Sequence, residues 1–472
     1  MPRERIVPLI IAVALFMENM DSTVIATSLP AIATDIGTNP LALKLAITTY
    51  LLSLAIFIPA SGWTADRFGA RKVFCGAIAI FVIGSIGCAL SGSLTDFVIA
   101  RIVQGMGGAM MTPVGRMVLV RTIEKRDLIG AMVWVTTPAL MGPVLGPPVG
   151  GFITTYASWH WIFIINVPMG LLGILLAMRF VPDIRGEKRE RFDVVGMVLA
   201  GLGIGGVAFG LSVLGLNFLP WVVVAALIVG GICFIAAYLV HARHTENPAL
   251  DLTLFRLPTF FASVTGGFVF RLGLGALPFL LPLMLQVGFG MTPFQSGLIT
   301  FATALGSLSM KGAVTTIVRR LGFRTILVAN AVISSAFLAV CAVFTQTTPI
   351  VVMFMLLMIG GFFRSLQFTS INTIAYAEVE PNRVGRATAL VSVGQQLAIS
   401  SGVALGALVV ELTLHYRGGG PLQAADFPPA FLAVALISCF SALIFARLAP
   451  NAGEEMAARV PVPVEPPDRP AS

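Results

Sequence analysis

Two carboxylates three residues apart, Glu18 and Asp21, lie inside an otherwise apolar stretch near the N-terminus. At that spacing both fall on one face of a helix. Two acids so close repel when both are ionised, an arrangement suited to taking up and releasing a proton. Four arginines, Arg101, Arg116, Arg271 and Arg364, sit in similarly apolar surroundings. The acids available to neutralise them are Glu18, Asp21 and Glu411, too few for all four. An arginine without a counter-charge in a cavity is a ready site for an anion. The alternative is that each arginine bonds backbone carbonyls or faces water. Arg101 is a candidate partner for Asp21 or Glu18. Asn166, Gln286, Asn372, Gln395 and Gln396 are further candidates to line a substrate cavity, each also readable as an interhelical hydrogen bond.

Other chemistries find no support. The five cysteines are scattered through apolar segments without a C-x-x-C pair, and the four histidines form no H-E-x-x-H, so neither a metal site nor a disulfide frame is expected. No G-x-x-x-x-G-K-[ST] loop is present to hold a nucleotide, and no cofactor is expected. An intramembrane enzyme needs a nucleophile with its base, or a metal, and neither is visible.

The elements that must position these groups follow from composition. Of 472 residues, 57% are apolar and 11% charged, against about 25% charged in soluble domains. The apolar residues come in blocks of about 20, the length that crosses a bilayer. Fourteen spans are expected, near 6–30, 44–63, 73–91, 96–120, 129–153, 160–180, 194–214, 219–240, 259–286, 294–315, 323–344, 349–373, 386–413 and 428–448. The first reads as a true span because no small-residue cleavage site follows it. A net charge of +8 does not indicate nucleic acid here. Of the 30 Lys and Arg, 24 fall at the two ends and in the even-numbered connections; Lys44 and Arg417 alone fall in the odd ones. That asymmetry predicts cytoplasmic termini and an even number of crossings.

Short connections after spans two and ten share Arg-x-Gly-x-Arg, at Arg67-Phe-Gly69-Ala-Arg71 and Arg320-Leu-Gly322-Phe-Arg324. If these correspond, the first six spans match the last six, with spans seven and eight inserted. Repeated halves about a central site are a transporter pattern. The expected divisions are a first bundle over 1–182, a linker with two extra helices over 183–250, a second bundle over 251–450, and a disordered Pro-rich cytoplasmic tail over 451–472.

The connection after span two carries Gly62, Asp66, Arg67, Gly69 and Arg71 in close succession. The glycines permit tight approach and positive φ, and the charges can pair with neighbouring helix ends and hold one conformation. In span five, Gly142, Gly146 and Gly150 recur every four residues beside Pro147, Pro148 and Gly151. They form a smooth stripe on which another backbone can lie.

The set from Gly62 to Lys72 resembles the signature loop of the major facilitator superfamily. Arg101-Ile-Val-Gln104-Gly105 is similar to that superfamily's fourth-helix pattern, and the string from Gly142 to Gly151 resembles the antiporter motif of drug–proton exchangers. Asp21-Ser-Thr23 through Leu29-Pro30, and Trp159 through Gly170, resemble the fourteen-span drug–proton antiporter family of the EmrB and QacA type, in its MdtD-like branch. The resemblance covers nearly the whole chain and is looser in the second half, where Arg319 stands in the place of Asp66.

The resemblance implies an all-α polytopic membrane protein of the major facilitator fold, with about 14 transmembrane helices in a 6+2+6 plan. It implies proton coupling through Asp21, with Glu18 and Arg101 in support, and multidrug efflux by alternating access in a bacterial-type inner membrane. Its partners would be a small-molecule substrate, protons and the bilayer, with the monomer as the working unit. Three rivals stand beside it: an exporter of an organic anion or metal-chelate on the same fold, a membrane enzyme or channel, and a non-transporting sensor.

Overall fold

The computed structural model describes residues 3–123, 128–184, 192–216 and 218–456. Lys125, Arg126, Arg185, Lys188, Arg189, Arg191, Arg459 and Arg469, together with the expected disordered stretch from residue 457, lie outside the described residues.

Lipid offers the backbone no hydrogen-bond partner, so apolar blocks of this length must satisfy their own amides as helices. Six helical units form the first half. They are α1 (Ile6–Thr27), α2 (Pro40–Phe68), α3 (Ala70–Ala89), α4 (Leu94–Thr122), α5 (Leu128–Tyr156) and α6 (Trp161–Phe180). The extra pair is α7 (Val194–Val213) and α8 (Trp221–His244). The second half comprises α9 (Pro258–Gly288), α10 (Pro293–Met310), α11 (Phe323–Val343), α12 (Ile350–Ile374), α13 (Val384–Tyr416) and α14 (Ala424–Phe445). Twelve of these are long and apolar enough to cross a membrane unaided. Joined to Val314–Leu321 across a 64° bend, α10 makes a thirteenth. Uncharged and 29 residues long, α5 is a further apolar helix, continuous through four internal prolines.

The outer faces of α6, α7 and α8 are covered with Leu171, Leu172, Leu175, Val195, Val198, Val222 and Val229, all exposed. Such an exterior is stable only in a lipid-like solvent.

The two halves repeat their packing. In the first, α1 lies on α5 and α6, α2 on α4, and α3 on α4 and α6. In the second, α9 lies on α13 and α14, α10 on α12, and α11 on α12 and α14. The main contacts joining the halves, α5 with α10 and α2 with α13, exchange under the same correspondence. The extra helices pair with each other, and α7 rests against α2 and α13.

Three local features depart from the sequence reading. The second span does not end at residue 63; Ser61–Phe68 stays helical because no proline or positive-φ residue interrupts it. Gly62 is therefore helical, and a Cβ there would meet only Met117 Cε at 4.0 Å. Gly69, at φ 97°, is the actual stop. In the second half, Gly322 at φ 76° plays the same part after Val314–Leu321. The third departure is at the C-terminal end: residues 451–456 form turns, with Ala452 packed against the core around Phe323 and Ile374.

Candidate functional site

Asp21 is held at the middle of the first half by side chains from two other helices, α4 and α6. Its Oδ2 accepts from Arg101 Nη1 at 2.8 Å. Its Oδ1 accepts from Gln104 Nε2 and from Asn166 Nδ2, each at 2.8 Å. Arg101 and Gln104 are three apart on α4, so one helical face delivers both. Ser85 of α3 accepts from Gln104 at 2.7 Å and from Asn166 at 3.2 Å. The Arg101 Nε donates to the Ala46 carbonyl at 3.2 Å, and its guanidinium lies 4.1 Å from the centre of the Tyr50 ring. Asp21, Ser85, Gln104 and Asn166 are 0% exposed and Arg101 1%. The result is a neutral ion pair with its lone pairs and protons almost wholly used. Such a pair tolerates burial, whereas removing one partner strands a charge and typically costs about 3–5 kcal/mol.

Glu18 stands one turn earlier and is not part of this network. Its Oε2 accepts from Thr112 Oγ1 at 2.8 Å, it is half-buried, and it lies in the fields of Arg116 and Asp21. Arg116 is exposed and makes no ion pair among the described residues. Of the two acids that Arg101 could have met, it takes Asp21. Asn166, read from the sequence as a cavity candidate, is instead sealed inside the Asp21 network.

In the second half, two arginines within spans, Arg271 and Arg364, lie apart from any carboxylate among the described residues. Arg271 on α9 is 2% exposed; its Nη2 donates to Asn372 Oδ1 at 2.7 Å, and its guanidinium lies 5.2 Å from the Phe368 ring centre. Its Nε is buried without a partner. Arg364 on α12 is half-buried, and neither arginine has a carboxylate within ion-pair distance among the described residues. Gln395 and Gln396 on α13 are half-buried and make no hydrogen bond there. Glu411, the remaining membrane acid, is engaged elsewhere.

Contacts between the halves gather at one end of the molecule. Lys44, 0% exposed at the start of α2, donates to Glu411 Oε1 of α13 at 3.0 Å and to the Leu214 carbonyl beyond α7 at 3.4 Å. Gln286 of α9, another cavity candidate, donates to the Thr27 carbonyl of α1 at 3.0 Å. The α5 stripe serves two neighbours. Cβ atoms at Gly142 and Gly150 would meet the α1 backbone at Met20 N, 2.9 Å, and Val24 O, 2.5 Å, and one at Gly146 would strike Thr23 Oγ1. Gly151 faces the Pro293 carbonyl of α10 in the other half. Deeper in the interface, Ser400 donates to the Thr48 carbonyl at 3.3 Å.

At the opposite end, Asp66 accepts from Arg121 Nη1 at 2.7 Å, tying the end of α2 to the end of α4 within one half. Arg67 is exposed and Arg71 half-buried. Among the described residues no group of three or more His, Cys, Asp or Glu is placed to hold a metal ion.

A family model described as the Major Facilitator Superfamily matches residues 11–192 and 263–470. The chain belongs to that superfamily. The two matched stretches leave out α7 and α8, the pair outside the repeat. Proteins of Salmonella heidelberg and Salmonella paratyphi A that carry the provisional name multidrug resistance protein MdtD are each 37% identical over 450 residues, covering 94% of both chains. This superfamily member is thus MdtD-like. Its fold matches a D-xylose–proton symporter with a TM-score of 0.67 at 16% identity, covering 95% of this chain and 98% of that one. It also matches a bacterial homologue of the human lysosomal transporter Spinster, in an inward-facing and unoccupied conformation, with a TM-score of 0.65 at 15% identity over 98% and 99%. As a superfamily member the protein is a multi-pass membrane transporter for a small molecule, not an enzyme.

Sequence reasoning named Gln104 in a motif without placing it in the site, and missed Ser85, Thr112, Tyr50 and the Lys44–Glu411 pair. Gln104 carried a usable signal, its i,i+3 spacing from Arg101. The others are joined only by tertiary packing.

Proposed function

We propose that the protein is a proton-coupled antiporter that exports small molecules across a bacterial-type inner membrane by alternating access. The observation that carries this reading is the buried carboxylate of Asp21, held by one arginine and two amides, the one Asp–Arg pair wholly buried within that half among the described residues. A proton arriving at Asp21 cancels the charge that Arg101 answers and loosens the α1–α4–α6 connection. Loss of that proton restores it. Such a site converts proton occupancy into helix arrangement, which is what coupling requires. Glu18, on the same face of α1 and bonded to Thr112, is the second acid on the proton's route.

In this reading both termini and the Asp66–Arg121 pair are cytoplasmic, in keeping with the crowding of Lys and Arg into the even-numbered connections. The Lys44–Glu411 and Gln286–Thr27 contacts then close the outer end, and the cycle must break them. Gly62, Gly69, Arg67 and Arg71 belong with Asp66 to the switch that favours one state. The protein works as a monomer, each chain containing both halves. The relatives' name points to drug-like substrates.

The test uses purified protein in proteoliposomes with ethidium as probe. An imposed pH gradient is expected to drive ethidium movement in wild type and not in Asp21→Asn. Movement that ignores the gradient, or full coupling in Asp21→Asn, overturns the reading.

A second reading, export of an organic anion or metal-chelate, is favoured by one observation: the buried Arg271 and half-buried Arg364 have no carboxylate within ion-pair distance among the described residues. Carboxyfluorescein transport that survives unchanged in Arg271→Ala ends it.

A further inference from the structure

We propose that the cleft where the α8–α9 linker meets the start of α13 binds a phosphate-bearing anion, presented by a lipid headgroup or as soluble phosphate. The cleft has a volume of about 500 Å³. Arg243 comes from the last turn of α8, Arg256 from the turn just before α9, Arg383 from the short turn that precedes α13 and Arg386 from the first turn of α13. Four guanidinium groups face two carboxylates, Asp251 and Glu246, so the lining is net positive.

The four arginines are not equivalent. Asp251 is buried and organises two of them. It accepts from Arg383 Nη2 at 2.8 Å and lies 3.5 Å from Arg386 Nη1. Asp251 is itself fixed by the amide and hydroxyl of Thr253, at 3.2 and 2.5 Å. Burial alone would raise its carboxyl, but the bonds from Thr253 and Arg383, with the Arg383 charge, outweigh that and hold it below its usual range. It is therefore ionised at neutral pH and already occupied. Arg243 and Arg256 are exposed to the cleft and make no ion pair or hydrogen bond among the described residues. Guanidinium forks match phosphate oxygens in pairs, and two unanswered forks beside a fixed pair make a site for an anion with several oxygens.

Position favours phosphate over a simple carboxylate. The cleft lies at the ends of three spans, where a bilayer places its headgroups. Leu239 and Val240, about one turn before Arg243 on α8, are exposed apolar side chains of the kind an acyl chain covers. The site would join the extra helix pair to the second half, and it stands whether or not transport is proton-coupled.

The experiment measures thermal unfolding of the full-length protein in detergent with three additives: phosphatidylglycerol, a glucosyl-diacylglycerol with the same tails and no phosphate, and inorganic phosphate at matched ionic strength. Phosphatidylglycerol is expected to raise the wild-type midpoint by roughly 5 °C over the glucolipid. The double variant Arg243→Gln/Arg256→Gln, which breaks no existing bond, is expected to keep its midpoint without additive and to lose that rise. An equal rise with inorganic phosphate assigns the site to a soluble anion, and a rise with the lipid alone assigns it to the headgroup. No rise with either, or a rise retained by the double variant, overturns the proposal. If the variant folds poorly, native mass spectrometry of wild type decides instead: equal retention of phosphatidylglycerol and glucolipid also overturns it.

Discussion

The two six-helix halves share their packing and differ in their charges. In the first, a buried arginine meets a buried carboxylate and the pair is neutral. In the second, among the described residues, Arg271 meets the amide oxygen of Asn372 and an aromatic face, and Arg364 has no acid within ion-pair distance. The repeated fold therefore preserves which helices touch, while the interior chemistry has separated into two jobs. A neutral ion pair can change state with one proton. Under the second reading proposed above, a cation without an acid beside it is open to an anion from outside the chain.

The strongest way to break this comparison is to remove the acid. Asp21→Asn should abolish coupling between proton flux and substrate movement, and should leave Arg101 as an unanswered buried charge, lowering stability by about 3–5 kcal/mol. Stopped-flow pH measurements in proteoliposomes together with thermal unfolding check both parts. Next comes a matched pair of arginine variants. Arg101→Gln should cost about the same 3–5 kcal/mol because it strands Asp21, whereas Arg271→Gln loses one charged hydrogen bond to an amide, about 1.5–3 kcal/mol at most, and strands no charge. Equal losses in unfolding midpoint would erase the distinction between the halves.

A second pair tests the shared packing. Gly146→Ala on α5 drives a methyl into Thr23 of α1, and Gly402→Ala on α13 drives one into the Leu272 carbonyl of α9. Both should destabilise by about 1–3 kcal/mol, and strongly unequal penalties would show that the packing repeat is looser than the pairing of helices implies. The smallest effect is expected at Asp66. Its pair with Arg121 is about one-third exposed on each side, so Asp66→Asn should change stability by less than about 1 kcal/mol while altering transport rate. The second half has Arg319, a cation, at the place of Asp66.

Much of this architecture was legible in the sequence because bilayer solvation is strict: a span needs a length, and a charge inside it needs a reason. The fourteen blocks, Asp21, Arg101 and the repeated Arg-x-Gly-x-Arg connection all carried that signal. Amides did not. Asn166 and Gln286 read equally as cavity lining or as structural bonds, since a carboxamide serves either end of a hydrogen bond. The continuation of α2 through Gly62 was hidden because a glycine in a helix and a glycine in a turn look alike without the chain's direction. The bend in α10 has no proline to announce it. Lys44 and Glu411 are 367 positions apart, a separation at which spacing says nothing.

Lys44 also bears on what the two added helices do. Its ammonium has three hydrogens and bonds with two, one to α13 and one to the carbonyl past the end of α7. Any motion that draws α2 away from α13 must either carry the α7 terminus along or give up that second bond as well. The inserted pair is thus geared to the hinge line between the halves, and shortening the Lys44 side chain should make that gear slip.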